Sequence, residues 1–110
     1  MATVLYTVKA TISKENEAAF NKWYNEIHIL PILNSPSVLS ARRYRAIIGE
    51  DVYQYITLYE FKDEKSLRDM MASDLMRDSK ADFDRTYPES RRVSAAYEQI
   101  WQSPPKMKPA

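Results

Sequence analysis

The hydrophobic pattern of the chain alternates between strand-like and helix-like segments. Residues 3–12, 38–47, 52–61 and 91–102 are rich in β-branched and aromatic residues, which favour strands. In residues 52–61 aromatic side chains alternate with other, mostly aliphatic ones, so both faces can be buried and a central strand is predicted. The turn before this strand contains Gly49, where a positive φ angle is expected.

A first amphipathic helix is predicted between the first two strands. Ser13 is a suitable N-cap, and the apolar positions that follow have the spacing i, i+3, i+4 and i+7. The helix should end near Ile29, because Leu30 precedes Pro31 and a residue before proline disfavours helical backbone. Residues 31–37 are therefore predicted to form a loop. The apolar positions are Phe20, Trp23, Tyr24 and Ile27.

The second helical region should consist of two helices. Asp63 can cap the first of them and Ser73 or Asp74 the second, which Pro88 stops. The resulting order, β-α-β-β-α-β, predicts an α+β fold of the ferredoxin-like type. In this fold a four-stranded antiparallel sheet carries the helices on one face.

Apolar residues also occupy the face of the sheet that the helices leave free. The simplest cover is the sheet of a second copy, so we expect a homodimer whose two sheets pack into an α+β barrel. Residues 1–103 should form this single domain, and residues 104–110 a Pro-rich C-terminal tail.

The composition excludes several kinds of chemistry. The 110 residues include no cysteine, one histidine and one glycine, which excludes disulfides, thiolate catalysis and glycine-rich phosphate loops. The net charge of +1 gives no sign of binding to nucleic acid or to an anionic membrane. The N-terminal segment lacks the features of a signal peptide. We therefore expect a cytoplasmic protein without a metal or other cofactor.

The stretch FNKWYNEIHILPILNSPSVLSARRYR, residues 20–45, resembles the dimeric α+β barrel superfamily and most of all its EthD-type proteins. In those proteins an aromatic-bearing first helix ends in a histidine followed by a proline, and the next strand carries an Ala-x-x-Tyr step. This chain departs from the pattern at Ser37, where the family has glycine, and in the two residues that separate His28 from Pro31. The resemblance implies a pocket between the sheet and the helices of each protomer.

Aromatic and polar residues that should reach this pocket are the candidates for function. His28 is the predicted acid or base, since the ordinary pKa of histidine lies near 6.5. Tyr24, four residues earlier on the same helix face, can donate a hydrogen bond to a developing oxyanion. A helix C-terminus favours charged His28 and burial favours neutral His28, so the sequence leaves its pKa open. The predicted substrate-binding residues are Trp23, Tyr44, Tyr6 and Tyr55.

Three functions compete at this point. The first is a cofactor-independent isomerase, cyclase or lyase that abstracts a proton next to the carbonyl group of an unsaturated or aromatic compound. The second is a non-enzymatic ligand-binding or assembly module, in which His28 bonds only to solvent or to a carbonyl and the aromatic residues are packing. The third is haem degradation, for which the resemblance requires a histidine on the second helical segment, where this chain has none.

The arginines of the second strand have a simpler interpretation. Arg43 and Arg45 should share the strand face opposite Arg42 and Tyr44. Acids such as Glu60 or Glu98 could pair with these arginines across the strands, and an anion-binding role for Arg42 or Arg43 is also open.

Overall fold

The structure, a computed structural model, describes residues 2–106 and has the element order predicted from the hydrophobic pattern. The strands are β1 (Val4–Ala10), β2 (Val38–Arg45), β3 (Tyr55–Phe61) and β4 (Arg92–Glu98). The helices are α1 (Glu17–Trp23), α2 (Leu30–Leu33), α3 (Glu64–Met71) and α4 (Asp74–Thr86), with a 3-10 turn (Lys14–Asn16) and a π-helical segment (Tyr24–His28). The predicted ferredoxin-like fold is confirmed.

The strands form one antiparallel sheet in the order β2-β3-β1-β4. The aromatic strand β3 is central, as its two apolar faces predicted. Tyr6 of β1 lies opposite Tyr59 of β3 on one side and Ala96 of β4 on the other. Residues directly opposite each other in a ladder point to the same face, so these three side chains all face the helices.

The core lies between the helices and the inner face of β1, β2 and β3. Alternate residues of β3 are buried, and Phe20 of α1 and Phe83 of α4 are almost fully inaccessible to solvent. The rings of Phe20 and Phe83 meet edge to face with centroids 5.9 Å apart. Burial of such aromatic side chains contributes roughly 2–3 kcal/mol each, so this cluster fixes α1 and α4 on the sheet.

The first helical region ends at His28, close to the predicted end at Ile29. The loop predicted from residue 31 was wrong at its start, because Leu30–Leu33 form a further short helix, α2. Pro31 is accommodated because it lies in the first turn of α2, where a backbone N–H has no helical partner to lose. The predicted loop is therefore confined to the residues after Leu33.

The strands are shorter than predicted at the ends that face turns or the C-terminus. β2 ends at Arg45, β3 begins at Tyr55 and β4 ends at Glu98. Gly49 adopts the expected positive φ angle, 101°. The predictions for the N-terminus and the tail extend to residues 1 and 107–110, which lie outside the described residues. Within the described part of the chain, no helix combines the length and apolar character needed to cross a bilayer.

Candidate functional site

A cavity of about 380 Å³ lies between the π-helical segment, α4 and the inner face of the sheet. Tyr6, Tyr24, His28 and Tyr59 bring polar tips to it, and its apolar wall includes Phe83. A concave, partly apolar space with a few convergent polar groups is the usual form of a small-molecule site. The other polar side chains at the cavity are Ser79, Lys80, Asp84, Ser90, Arg92 and Ser94.

The π-helical segment places Tyr24 and His28 at the cavity together. The backbone N–H of Ile29 donates to the carbonyl oxygen of Tyr24 at 3.0 Å, which closes a turn wider than that of an α-helix. The rings of Tyr24 and His28 meet edge to face, with centroids 4.8 Å apart. Such π-helical turns are frequent at functional sites, and this one contains both predicted catalytic residues.

Burial favours the neutral form of His28, one of the two forms that the sequence left open. The side chain is 9% exposed and stacks on Trp23, with ring centroids 4.6 Å apart and planes inclined by 19°. Loss of solvation lowers the pKa of His28 from 6.5 to about 4, against the opposing effect of the Asp82 carboxylate. His28 is therefore neutral at pH 7 and can accept a proton.

His28 also borders a cleft of about 300 Å³ on the outer side of α4 and the π-helical segment, which we call the outer cleft. Asp78 and Asp82 of α4 line this cleft, and Arg85 pairs with Asp82 at 2.8 Å. The imidazole thus stands between the inner cavity and an acidic surface cleft.

Tyr24 and Tyr59 are hydroxyl donors at the inner end of the cavity. Burial raises the pKa of both phenols, so they stay protonated at neutral pH. The hydroxyls of Thr57 and Tyr59 and the charge of Arg43 partly oppose the rise in the pKa of Tyr24. Protonated, desolvated phenols are suited to stabilise a developing oxyanion.

Arg43 brings a positive charge to the side of Tyr24 without a carboxylate partner among the described residues. Its guanidinium carbon lies 4.1 Å from the centroid of the Tyr24 ring, a cation–π distance. It donates hydrogen bonds to the amide oxygens of Asn25 and Asn21, at 2.9 and 3.0 Å. Arg43 does not pair with an acid across the strands that the structure describes. Glu60 is on the opposite face of the sheet, where it accepts from Thr3 and Ser40, and Glu98 is on β4 at the other edge of the sheet.

Three charged residues, Lys80, Asp84 and Arg92, form a rim at the cavity. The sequence analysis did not predict them as site residues. Arg92 of β4 donates to a carboxylate oxygen of Asp84 at 2.6 Å, and its guanidinium lies 4.3 Å from the ring centroid of Phe83. Lys80, one helical turn before Asp84, borders the same rim. The i, i+4 spacing of Lys80 and Asp84 was visible in the sequence, but only the sheet register brings Arg92 to them.

The predicted site residues separate into two groups. Tyr6, Tyr24 and His28 border the cavity together. Trp23 lies behind His28, and the hydroxyl of Tyr55 is occupied by Glu17 at 2.6 Å and Asn21 at 3.0 Å. Tyr44 is on the opposite face of the sheet and 54% exposed, since strand alternation turns it away from Arg43. The placement of Tyr44 in the pocket was wrong, and neither Trp23 nor Tyr55 lines the cavity.

Solved structures share this layer arrangement of helices on one face of an antiparallel sheet, and an EthD family protein is among them. An EthD family protein from Bacillus halodurans has a TM-score of 0.70 and 18% identity, over 91% of this chain and all of that one. SnoaB, a cofactor-independent oxygenase from Streptomyces nogalater, has a TM-score of 0.65 and 13% identity, over 94% of this chain and 98% of that one. A dimeric protein of unknown function with a ferredoxin-like fold from Bacteroides fragilis has a TM-score of 0.60 and 12% identity, over 88% of this chain and 96% of that one.

The chain belongs to the DUF4286 family, a domain of unknown function, whose model matches residues 3–95. A sequence comparison with curated proteins gives no match. The similarity to the solved structures establishes the fold, and the activity has to be argued from the site itself.

Proposed function

We propose that this protein is a cofactor-independent enzyme that moves a proton next to the carbonyl group of a small unsaturated or aromatic compound. The observation that carries the proposal is His28, a neutral and buried imidazole that borders the cavity beside the hydroxyl-bearing Tyr24. Trp23 and Phe83 hold its ring on two sides. A base in a fixed orientation next to oxyanion donors is what enolisation requires.

The reaction begins when His28 takes a proton from the carbon next to the substrate carbonyl. The electron pair of the C–H bond moves into the carbonyl group and forms an enolate, whose oxygen accepts hydrogen bonds from Tyr24 and Tyr59. Return of the proton from His28 to another carbon of the conjugated system completes an isomerisation. If the enolate expels a leaving group from the next carbon, the departing group takes the proton from His28 and the reaction is an elimination. If the enolate carbon attacks a second carbonyl group of the same molecule, the alkoxide that forms takes that proton and the reaction is a cyclisation.

The charges around the cavity favour the same chemistry. Asp84 neutralises Arg92 at the rim, which leaves Lys80 there and Arg43 beside Tyr24 as the positive charges that stabilise an enolate or a substrate carboxylate. An anion beside His28 also raises the pKa of the imidazole, so that it becomes a stronger base once substrate is bound. SnoaB, whose fold is similar, is a cofactor-independent oxygenase, which supports a reaction without a cofactor.

A non-enzymatic ligand-binding module is the second candidate function. The observation that favours it is the low pKa of His28, about 4, which makes the free imidazole a weak base. In that case the cavity would bind a small molecule, and His28 and Tyr24 would only hydrogen-bond to it.

Deuterium exchange distinguishes the two functions. The protein is incubated in D₂O with a panel of small ketones and conjugated keto acids, and loss of the proton next to the carbonyl is followed by NMR. We expect exchange with the wild type, and a rate at least about 100-fold lower with His28→Gln, because a positioned general base contributes that much or more. Tyr24→Phe should lower the rate about 100-fold by removing an oxyanion donor.

Tyr44→Phe is the matched control, since Tyr44 lies on the opposite face of the sheet and should leave the rate unchanged. Equal rates for the wild type and His28→Gln would remove His28 from the mechanism. Binding of panel compounds without exchange, seen as a change in tryptophan fluorescence, would favour the ligand-binding module.

We also propose that the protein is a homodimer through the outer face of its sheet. The outer side chains Tyr44, Val93 and Tyr97 are 54%, 46% and 58% exposed. Apolar surface on a sheet face is stabilised when a second sheet covers it.

A further inference from the structure

A second cavity, of about 550 Å³, lies next to the one that contains His28. It is formed between α3 and the inner side of β4, and its wall is mainly apolar. Leu67 and Met71 of α3 face Val4 and Ala96 of the sheet across it. Of its charged residues, Glu64 and Arg68 neutralise each other in an ion pair of 2.7 Å, and Glu98 lies at the end of β4.

The register of β1 and β4 shows that the two cavities lie end to end. Val8 is paired with Ser94 and both border the His28 cavity, whereas Val4 and Ala96 border the second one. The junction is the pair of Tyr6 with Ala96, one residue from each cavity. A ligand that fills the first cavity therefore meets the second without crossing a secondary-structure element.

The floor of this junction is made of small side chains. Ser94 and Ala96 point to the helix side of β4, yet both are exposed to solvent. The helices therefore leave the inner face of this edge strand uncovered, although they bury the corresponding faces of β1 and β3. Because neither side chain extends beyond Cβ by more than one atom, an open groove runs from Ser94 past Ala96.

We propose that the groove binds an unbranched apolar chain of the substrate, so that the enzyme acts on carbonyl compounds with an extended alkyl or polyene tail. The inference rests on the proposed function, because it takes the His28 cavity as the site of the carbonyl end. The carbonyl end lies among His28, Tyr24 and the positive rim, and the tail runs along β4 toward Leu67 and Met71. The polarity of the two cavities, charged in the first and mainly apolar in the second, fixes this direction.

Chain-length dependence of binding tests the inference. Butanoate and octanoate serve as probes, since their carboxylate stands in for the enolate end, and dissociation constants are measured by calorimetry on the whole chain. We expect octanoate to bind the wild type at least about tenfold more tightly than butanoate, because each buried methylene group adds to affinity. Ala96→Phe, which fills the junction, should bring the ratio of the two constants close to one.

Met71→Glu is a second variant at a partly exposed position, 37% accessible, that should remain folded. A carboxylate there faces the apolar chain and should also lower the ratio to near one. Ala81→Phe places the same bulk on the exposed side of α4, away from both cavities, and should keep the wild-type ratio.

The outcomes separate this inference from the proposed function. A wild-type ratio near one overturns the inference, and so does a ratio that persists in both Ala96→Phe and Met71→Glu. If the wild type exchanges the proton of a short ketone but binds butanoate and octanoate equally well, the groove is contradicted and the proposed function is not. A high ratio that both variants abolish, without exchange on any ketone, would contradict the catalytic role of His28 alone.

Discussion

His28 is the residue in which structure and chemistry are most closely linked. The same burial that keeps its imidazole neutral also makes its protonation unfavourable in the folded state, with a pKa of about 4 against 6.5 in the unfolded chain. Between these two values the unfolded state binds more protons than the folded state. The free energy of unfolding should therefore fall as the pH is lowered from 6.5 to 4, and this contribution should not change further below pH 4.

We predict that this single group lowers the free energy of unfolding by about 3 kcal/mol between pH 6.5 and 4. Urea unfolding of the wild type and of His28→Phe across this range measures it. The phenylalanine ring can keep the stack on Trp23 but cannot bind a proton. The free energy of unfolding of the wild type should therefore fall relative to that of the variant as the pH is lowered. Parallel pH dependences in the two proteins would show that His28 is not desolvated as the structure indicates.

The candidate site could be predicted from the sequence only where local spacing determines it. Tyr24 and His28 lie one helical turn apart, and this placed them together correctly. Arg92 and Tyr44 depend on which face of an edge strand points to the helices. That choice is set by the register with a neighbouring strand, so the sequence missed Arg92 and misplaced Tyr44.

Side-chain caps were predicted correctly for α3 and α4, whereas Ser13 makes no cap hydrogen bond at the start of the first helical region. Ser73 caps α4, as expected, since its hydroxyl oxygen accepts from the backbone N–H of Met76 at 3.2 Å. The same hydroxyl donates to the carbonyl oxygen of Met70 at 2.6 Å and so joins α3 to α4. By contrast, the π-helical segment was not predicted, because one wider turn leaves no distinct period in the hydrophobic pattern.

We predict that Ser73→Ala destabilises the protein by about 1–2 kcal/mol, since it removes both hydrogen bonds of the hydroxyl. For a domain of this size the Tm should fall by roughly 4–8 °C for each kcal/mol. Thermal unfolding followed by circular dichroism measures the change. Ser103→Ala, at an exposed serine outside the helices and strands, is the matched control and should leave the Tm unchanged. An equal Tm for Ser73→Ala and the wild type would mean that Ser73 does not stabilise the junction.

At the scale of the whole molecule, the sheet has one covered face and one open face. The helices bury the inner side chains of β1 and β3, whereas outer side chains such as Val93 and Tyr97 remain about half exposed. The hydrophobic pattern predicted this, because β3 alternates between two apolar faces. A sequence cannot show what covers the second face, since that depends on the shape of two surfaces rather than on local spacing.

We therefore predict that the protein is a dimer at micromolar concentration and that Val93→Glu combined with Tyr97→Glu makes it monomeric. In a two-fold interface each substitution occurs twice, so the double variant places four carboxylates in a surface that must lose its water. Sedimentation velocity gives the oligomeric state. Ala81→Glu adds a carboxylate to the exposed side of α4 and should remain dimeric. A monomeric wild type, or a double variant that stays dimeric with native circular dichroism, would show that the outer face of the sheet is not the interface.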